Sequence, residues 1–387
     1  MTTAPPIARP TSLATTGRAA RVAPVRRRTV MQITWSLVAG GSETYALTIA
    51  SHLDPRRFRA AFCAVDQGGA LEPEIQTLGI PCTIMHRRPG IDWRLMWRLY
   101  RLFQQNHVDV IHTHHFNQLF YSVLGAKLLG IRIIHTEHSI ECYKKRHLRI
   151  ALRILSAFCH RVTAIGADGQ RVLRHAVGIP RRKLQVIHAG VDLARFTETR
   201  AQARQALGLS EQDRIVTLIA RLSPEKNHAL LLAAFAQVLA QIPNAKLLLV
   251  GDGTHRQAVC NETERLHLAE HVQMLGVRRD VPRILAASDL FVLSSDREGL
   301  PIAVLEAMAA ACPVVATAVG DLPLIVSHDH TGLLVPPRDP TALAAAMVCL
   351  LNDPALASSM GQQGRQFVEA HYTQHHMLAQ HEKLYQL

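Results

Sequence analysis

The chain has 387 residues, 48% hydrophobic and 19% charged, which suits two soluble domains of about 170 residues each better than a single core. No apolar run approaches the roughly 18 to 20 residues of a membrane span, and residues 1–28 lack a signal peptide's apolar segment. Seven scattered cysteines without a Cys-x2-Cys pair point away from structural zinc and a disulfide framework, towards a reducing cytoplasm. The net charge of +13 divides as +6 on residues 1–28, +11 on 29–190 and −4 on 191–387. The first half therefore fits an anionic partner such as a membrane surface, a lipid pyrophosphate or nucleic acid, unless it is an ordinary solvated Arg-rich surface.

Residues 1–29 read as a disordered basic arm, rich in Pro and Arg with little to bury. A strand over 30–35 follows, then Gly40, Gly41, Ser42 and Glu43, then a helix over 44–53. Glycines between strand and helix let the backbone approach a ligand closely, although such a pair is more often a tight turn. Strands over 58–65, 82–85 and 108–112 alternate with helices over 72–78 and 92–105, which predicts a parallel, doubly wound sheet. The helix near 91–103 sets Trp93, Trp97 and Tyr100 beside Arg94, Arg98 and Arg101. It reads as a sheet-covering helix, with an interfacial membrane helix as the alternative. Histidines cluster at His112, His114 and His115 and again at His135 and His138. Metal binding is disfavoured there, because alternate strand residues face opposite ways and no Cys or carboxylate spacing completes a site. The basic run 144–153 is a solvated helix face or an acceptor- or membrane-facing patch.

The second half opens with a strand over 215–220, a loop bearing Arg221 and Lys226, and a helix over 229–239. A guanidinium and an ammonium on one strand-to-helix loop can neutralise a diphosphate. Strands over 245–250 and 272–275 end in Gly251 and in Gly276, Val277 and Arg278. A short strand over 289–295 leads to Glu298, Gly299, Leu300 and Pro301, after which a helix to residue 311 places Glu306 two turns in. Ligands of open α/β sheets bind at such strand ends, where bare helix N–H groups favour phosphate. Two carboxylates beside a phosphate repel it unless each accepts hydroxyl hydrogen bonds, and a sugar and a ribose supply those. Strands over 313–317 and 332–335 and helices from 341 onward complete the chain.

The spacing Ser-x3-Glu-Gly-x-Pro-x4-Glu, ending in Glu298 and Glu306, resembles the signature of family-4 retaining glycosyltransferases of the GT-B fold. That resemblance implies two Rossmann-like α/β domains facing across a cleft: residues 30–192 on the acceptor side, a linker over 193–212 that is polar and helical in type, and residues 213–370 binding the nucleotide sugar. Residues 371–387 would then cross back to the first domain. It further implies that Arg221 and Lys226 clamp the donor diphosphate, and that His138 and Glu298 act at the donor sugar. Gly40, Gly41, Gly251, Gly276, Val277, Arg278, Gly299, Leu300 and Glu306 would bind the rest of the donor. Glu43 and one of His114 or His115 would line the acceptor side. One departure is Gly166, where the family often has Ser.

The chain contains no Asp-x-Asp, so the usual divalent-metal clamp on the diphosphate is missing and a metal-independent reaction is expected. The resemblance implies that this reaction is hexosyl transfer with retention, and the expectation is no cofactor and a UDP-sugar ahead of a GDP-sugar. Arg221, Lys226 and helix N-termini would stabilise the leaving diphosphate, which would help deprotonate the acceptor on the same face. The expected acceptor is an anionic or lipid-linked glycan of envelope or exopolysaccharide synthesis, reached from the cytoplasm through peripheral contact with an anionic membrane. A GT-B 2-epimerase is the alternative enzyme. A basic nucleic-acid-binding protein is disfavoured, since the phosphate loops lie in the acidic half and no stacking-aromatic motif occurs.

Overall fold

Two parallel sheets carry the chain. The computed structural model describes residues 26–38, 40–138, 143 and 145–386. The first sheet holds β1 (Arg28–Ser36), β2 (Phe58–Gln67), β3 (Cys82–Ile84), β4 (Val110–His114), β5 (Arg132–Glu137), β6 (Arg161–Ala164) and β7 (Leu184–Val186), in the order β3-β2-β1-β4-β5-β6-β7. The second holds β8 (Arg214–Ile219), β9 (Ala245–Val250), β10 (Val272–Gly276), β11 (Leu290–Leu293), β12 (Val314–Thr317) and β13 (Leu333–Val335), in the order β10-β9-β8-β11-β12-β13. Helices cover both faces of each sheet, so central strands are buried throughout and read as continuous apolar runs, as in LFVL of β11.

In each sheet the strand order reverses once, between β1 and β4 and between β8 and β11. Those reversals open a crevice beyond the carboxyl ends of the strands, which is where such folds hold ligands. The expected α/β architecture of two doubly wound domains is what the chain forms.

Several local expectations shift. The strand expected over 108–112 runs instead over Val110–His114, which draws both His112 and His114 into the sheet. The first helix, Gly41–His52, starts at Gly41 and leaves Gly40 as its N-cap. Most of the basic arm, residues 1–25, lies outside the described residues, but its end is structured. Arg28 opens β1, and Arg26 pairs with Asp109 at 3.0 Å. The polar stretch 193–212, read as a linker of helical type, does carry a helix, Arg200–Leu207, opened by a Thr199/Gln202 capping box. Its Arg204 is fully buried against the second domain. There it donates to the carbonyls of Ala287, Ser210 and Glu211 and pairs with Asp289 at 2.6 Å.

The chain then returns. Val191 bridges to Thr373, and the C-terminal helix Gln374–Gln386 packs on the first domain, where the Arg28 guanidinium donates to the Tyr385 carbonyl at 2.6 Å. Gly190 permits this crossing, since a Cβ there would lie 2.5 Å from backbone atoms of Thr373 and Gln374.

Candidate active site

On the second domain, the loop after β8 carries Arg221, which is exposed and makes no side-chain hydrogen bond among the described residues. Gly251, after β9, packs directly beneath this loop. Its φ is +132°, and a Cβ at this position would lie 2.0 Å from the Ala220 carbonyl oxygen, which together exclude any other residue. Lys226 ends the same loop, in the single 3-10 turn Pro224–Lys226. Its ammonium meets both carboxylate oxygens of Glu298, at 2.6 and 2.8 Å, and Ser295 donates to Glu298 at 2.5 Å. Lys226 is 21% exposed and Glu298 only 6%, so the pair sits largely out of water with the ammonium as its accessible end. A lysine held by two of its three protons keeps one for a ligand oxygen.

Glu306 lies in the helix Ile302–Ala309, as its fifth residue, so it stands just over one turn in and not two. It is half-buried and takes no hydrogen bond among the described residues. Burial pushes its carboxyl up to about 7, against the pull of the nearby Arg195 guanidinium. A half-buried acid lacking donors has its oxygens open to hydroxyl hydrogen bonds. Arg278 is committed elsewhere, to Asp280 at 2.6 Å, while Val277 beside it is strongly exposed and Leu300 buried. Gly276 accepts the Gly251 N–H through its carbonyl, joining the β9 and β10 loops at one rim. Gly299 has open space around its Cα.

On the first domain, Gly40 and Gly41 begin the helix after β1, and Glu43 accepts from Ser42 at 2.7 Å. His115 follows β4 with φ +83°, an unfavourable geometry for a non-glycine residue, and aims Nδ1 at Glu137 Oε1, 3.1 Å away. Burial alone would raise Glu137, yet the hydrogen bond from His115 and the His135 ring 3.5 Å away hold its carboxyl well below the usual carboxylate range. His138 is half-buried at the end of β5, with the Tyr45 ring edge-on at 5.1 Å. His114, expected as one choice on the acceptor side, is instead sealed. It is fully buried, with His138 on one ring nitrogen and Gln32 on the other. Of the two, His115 is the one that reaches solvent. Burial holds His112, His114 and His138 well below the ordinary histidine range, so all three are neutral.

The two walls touch. Asp321 of the second domain accepts the Asp168 N–H at 2.9 Å, capping the first turn of the helix Ala167–Val172 from across the cleft. The departure at Gly166 has its reason here, because a Cβ at 166 would lie 2.0 Å from Asp321 Oδ2. A serine would need the carboxylate to move.

Residues 199–367 match the family described as glycosyl transferases group 1, and residues 39–195 match glycosyltransferase family 4. The chain belongs to glycosyltransferase family 4. A Bacillus anthracis N-acetyl-alpha-D-glucosaminyl L-malate synthase is 26% identical over 303 residues, covering 77% of this chain and 79% of that one. An Escherichia coli UDP-Gal:alpha-D-GlcNAc-diphosphoundecaprenol alpha-1,3-galactosyltransferase is 27% identical over 278 residues, 68% and 72% of the two chains. A crystal structure of Anabaena HepE in complex with UDP and glucose shares the fold, with a TM-score of 0.83 at 24% identity over 93% of this chain and 100% of that one.

In this family-4 glycosyltransferase, the fold brings Arg221, Lys226, Glu298 and Glu306 to the reversal in the second sheet, opposite Gly40, Glu43, His115 and His138 at the reversal in the first. Sequence reasoning missed three contributors: Ser295, which bonds Glu298; Tyr45, which walls His138; and Asp321, which ties the domains. Ser295 lies inside the motif and could have been noticed. Tyr45 and Asp321 have no local signal, since their partners are distant in sequence.

Proposed function

We propose that the protein transfers a hexose from a nucleoside-diphosphate sugar, UDP ahead of GDP, to an anionic or lipid-linked glycan acceptor, with retention and without a metal ion. The observation that carries this reading is the set of groups left unspent, among the described residues, at one strand-end crevice: the Arg221 guanidinium, the third proton of Lys226 and the Glu306 carboxyl. The two cations meet the charge that builds on the leaving diphosphate, and Glu306 takes ribose hydroxyls. Electrostatic stabilisation of this kind is commonly the largest single catalytic effect. With the cations in place and no Asp-x-Asp in the chain, the leaving phosphate is stabilised by protein groups and takes up the acceptor proton on the same face. The E. coli relative, whose name pairs UDP-Gal with a diphosphoundecaprenol acceptor, supports the donor and acceptor classes. Thermal shifts against a panel of nucleotide sugars test the donor, since a ligand at 100 times its Kd adds about 2.7 kcal/mol. Activity should survive EDTA and the product should keep the donor's anomeric configuration. Loss of activity with chelator, restored by a divalent ion, would overturn the metal-free reading.

Contact with an anionic membrane is part of this proposal, and a particular surface supports it. Among the described residues no single helix is long and apolar enough to cross a membrane; the contact proposed is a peripheral one. Three neighbouring helices, Trp93–Gln105, Phe116–Leu128 and Arg146–Phe158, each expose an apolar pair one turn apart: Trp93 and Trp97, Leu124 and Leu128, Ile150 and Ile154. The same helices expose Arg94, Arg101, Lys127, Arg146 and Arg153, while their one acid, Asp92, is a buried N-cap. Each Lys or Arg near an anionic bilayer contributes about 1 kcal/mol, and exposed aromatics anchor at its interface. The protein should sediment with phosphatidylglycerol-containing vesicles at low salt and less so at 1 M, where the Debye length falls to about 3 Å. A Trp97→Ser/Ile154→Ser variant should bind them more weakly. Equal failure to bind anionic and neutral vesicles would favour a soluble acceptor.

A further inference from the structure

We infer that the C-terminal helix sets the ring tautomer of His138 through a buried, one-directional hydrogen-bond chain, which makes Tyr385 a positioning residue for the transfer reaction. The inference rests on the reading of His138 as a donor-sugar contact. From the cleft inwards, His138 Nε2 lies 3.0 Å from His114 Nδ1, and His114 Nε2 lies 2.8 Å from Gln32 Oε1. Gln32 Nε2 donates to the Tyr385 hydroxyl at 3.3 Å, and that oxygen is 2.7 Å from His112 Nδ1. His112 Nε2 is 2.6 Å from the Thr136 hydroxyl, itself 2.6 Å from that of Thr163. Apart from His138, every member is buried, so water replaces none of these bonds.

The Gln32 amide decides the direction, because its oxygen only accepts and its nitrogen only donates. His114 must therefore carry its proton on Nε2. Being neutral, it offers Nδ1 as an acceptor, and His138 must then be protonated on Nε2. Nδ1 of His138 is left as a bare lone pair with no partner among the described residues, able to accept from a sugar hydroxyl. On the inner side, Tyr385 accepts from Gln32 and donates to His112, which donates to Thr136. Turning the amide over would reverse every bond and put the His138 proton on Nδ1. The far end resists that reversal: the Thr163 hydroxyl donates to the His135 carbonyl at 3.5 Å, so it accepts from Thr136, and Thr136 accepts from His112. Tyr385, donating to His112, is left to accept from the Gln32 nitrogen and so holds the amide as it stands. A second group on the same helix, His381, lies 2.7 Å from the Tyr45 hydroxyl and so fixes the ring that walls His138.

Tyr385→Phe removes one hydroxyl and keeps the ring. Two-bond proton–nitrogen spectra of imidazole-labelled protein, with the His138 signal assigned by its loss in His138→Gln, report the tautomer directly. The wild type should show His138 protonated on Nε2, and Tyr385→Phe should mix the two tautomers. The transfer kcat of Tyr385→Phe should fall by about 10- to 100-fold, the range for losing a partner that orients a functional histidine. Glu382→Ala, which removes the ion pair of the same helix with Arg57, should change neither the tautomer nor kcat. A wild-type His138 protonated on Nδ1, or a tautomer unmoved in Tyr385→Phe, overturns the relay. A shifted tautomer with an unchanged kcat overturns instead the contact between His138 and the donor, and with it the positioning role.

Discussion

Lys226→Ala is expected to lower the transfer kcat by about 10²- to 10³-fold, the loss seen when one preorganised group facing a developing negative charge is removed. The same substitution has a second consequence, because Glu298 is 6% exposed and loses its counter-ion. Removing one partner of a buried pair costs about 3 to 5 kcal/mol, moderated here because Lys226 is partly exposed and Ser295 still donates to the carboxylate. The two effects separate in a double variant. Lys226→Ala/Glu298→Gln removes the stranded charge and should regain most of the stability without regaining activity. Denaturant unfolding and steady-state kinetics on the single and double variants check both. Wild-type kcat in Lys226→Ala would remove this lysine from the leaving-group site.

Arg204→Ala is expected to destabilise the second domain by about 3 kcal/mol, the lower end of the range for breaking a buried ion pair. Asp289 keeps Arg200 at 2.5 Å and the Ile215 N–H at 2.6 Å, so its carboxylate is not abandoned. The carbonyls of Ala287, Ser210 and Glu211 lose their shared donor, and a cavity replaces a large buried side chain. Arg204→Lys should lie between, since an ammonium cannot fork to several acceptors in one plane. Urea unfolding of the variants measures this. A loss below about 1 kcal/mol would mean that the helix Arg200–Leu207 adds little to the domain.

The sequence alone carried the two-domain α/β architecture, because alternating strand and helix periods and the glycine-bearing turns between them are set within windows of about ten residues. It also located the loops that bear Arg221, Lys226 and Glu298 and the helix that bears Glu306, since each loop follows a short apolar strand and leads into a helix. Side-chain partnerships were not legible. Lys226 and Glu298 were assigned separate tasks, yet they meet across 72 residues of chain; His114 was offered to the acceptor, yet a strand displaced by two residues seals it in the core. Arg204 read as linker polarity, and nothing near Gln32 announces Tyr385, 353 residues away. Local pattern sets which elements form and which end of a strand a loop occupies. Which buried donor meets which acceptor depends on how the domains pack and on where the last helix crosses back, and no single window of sequence contains that information.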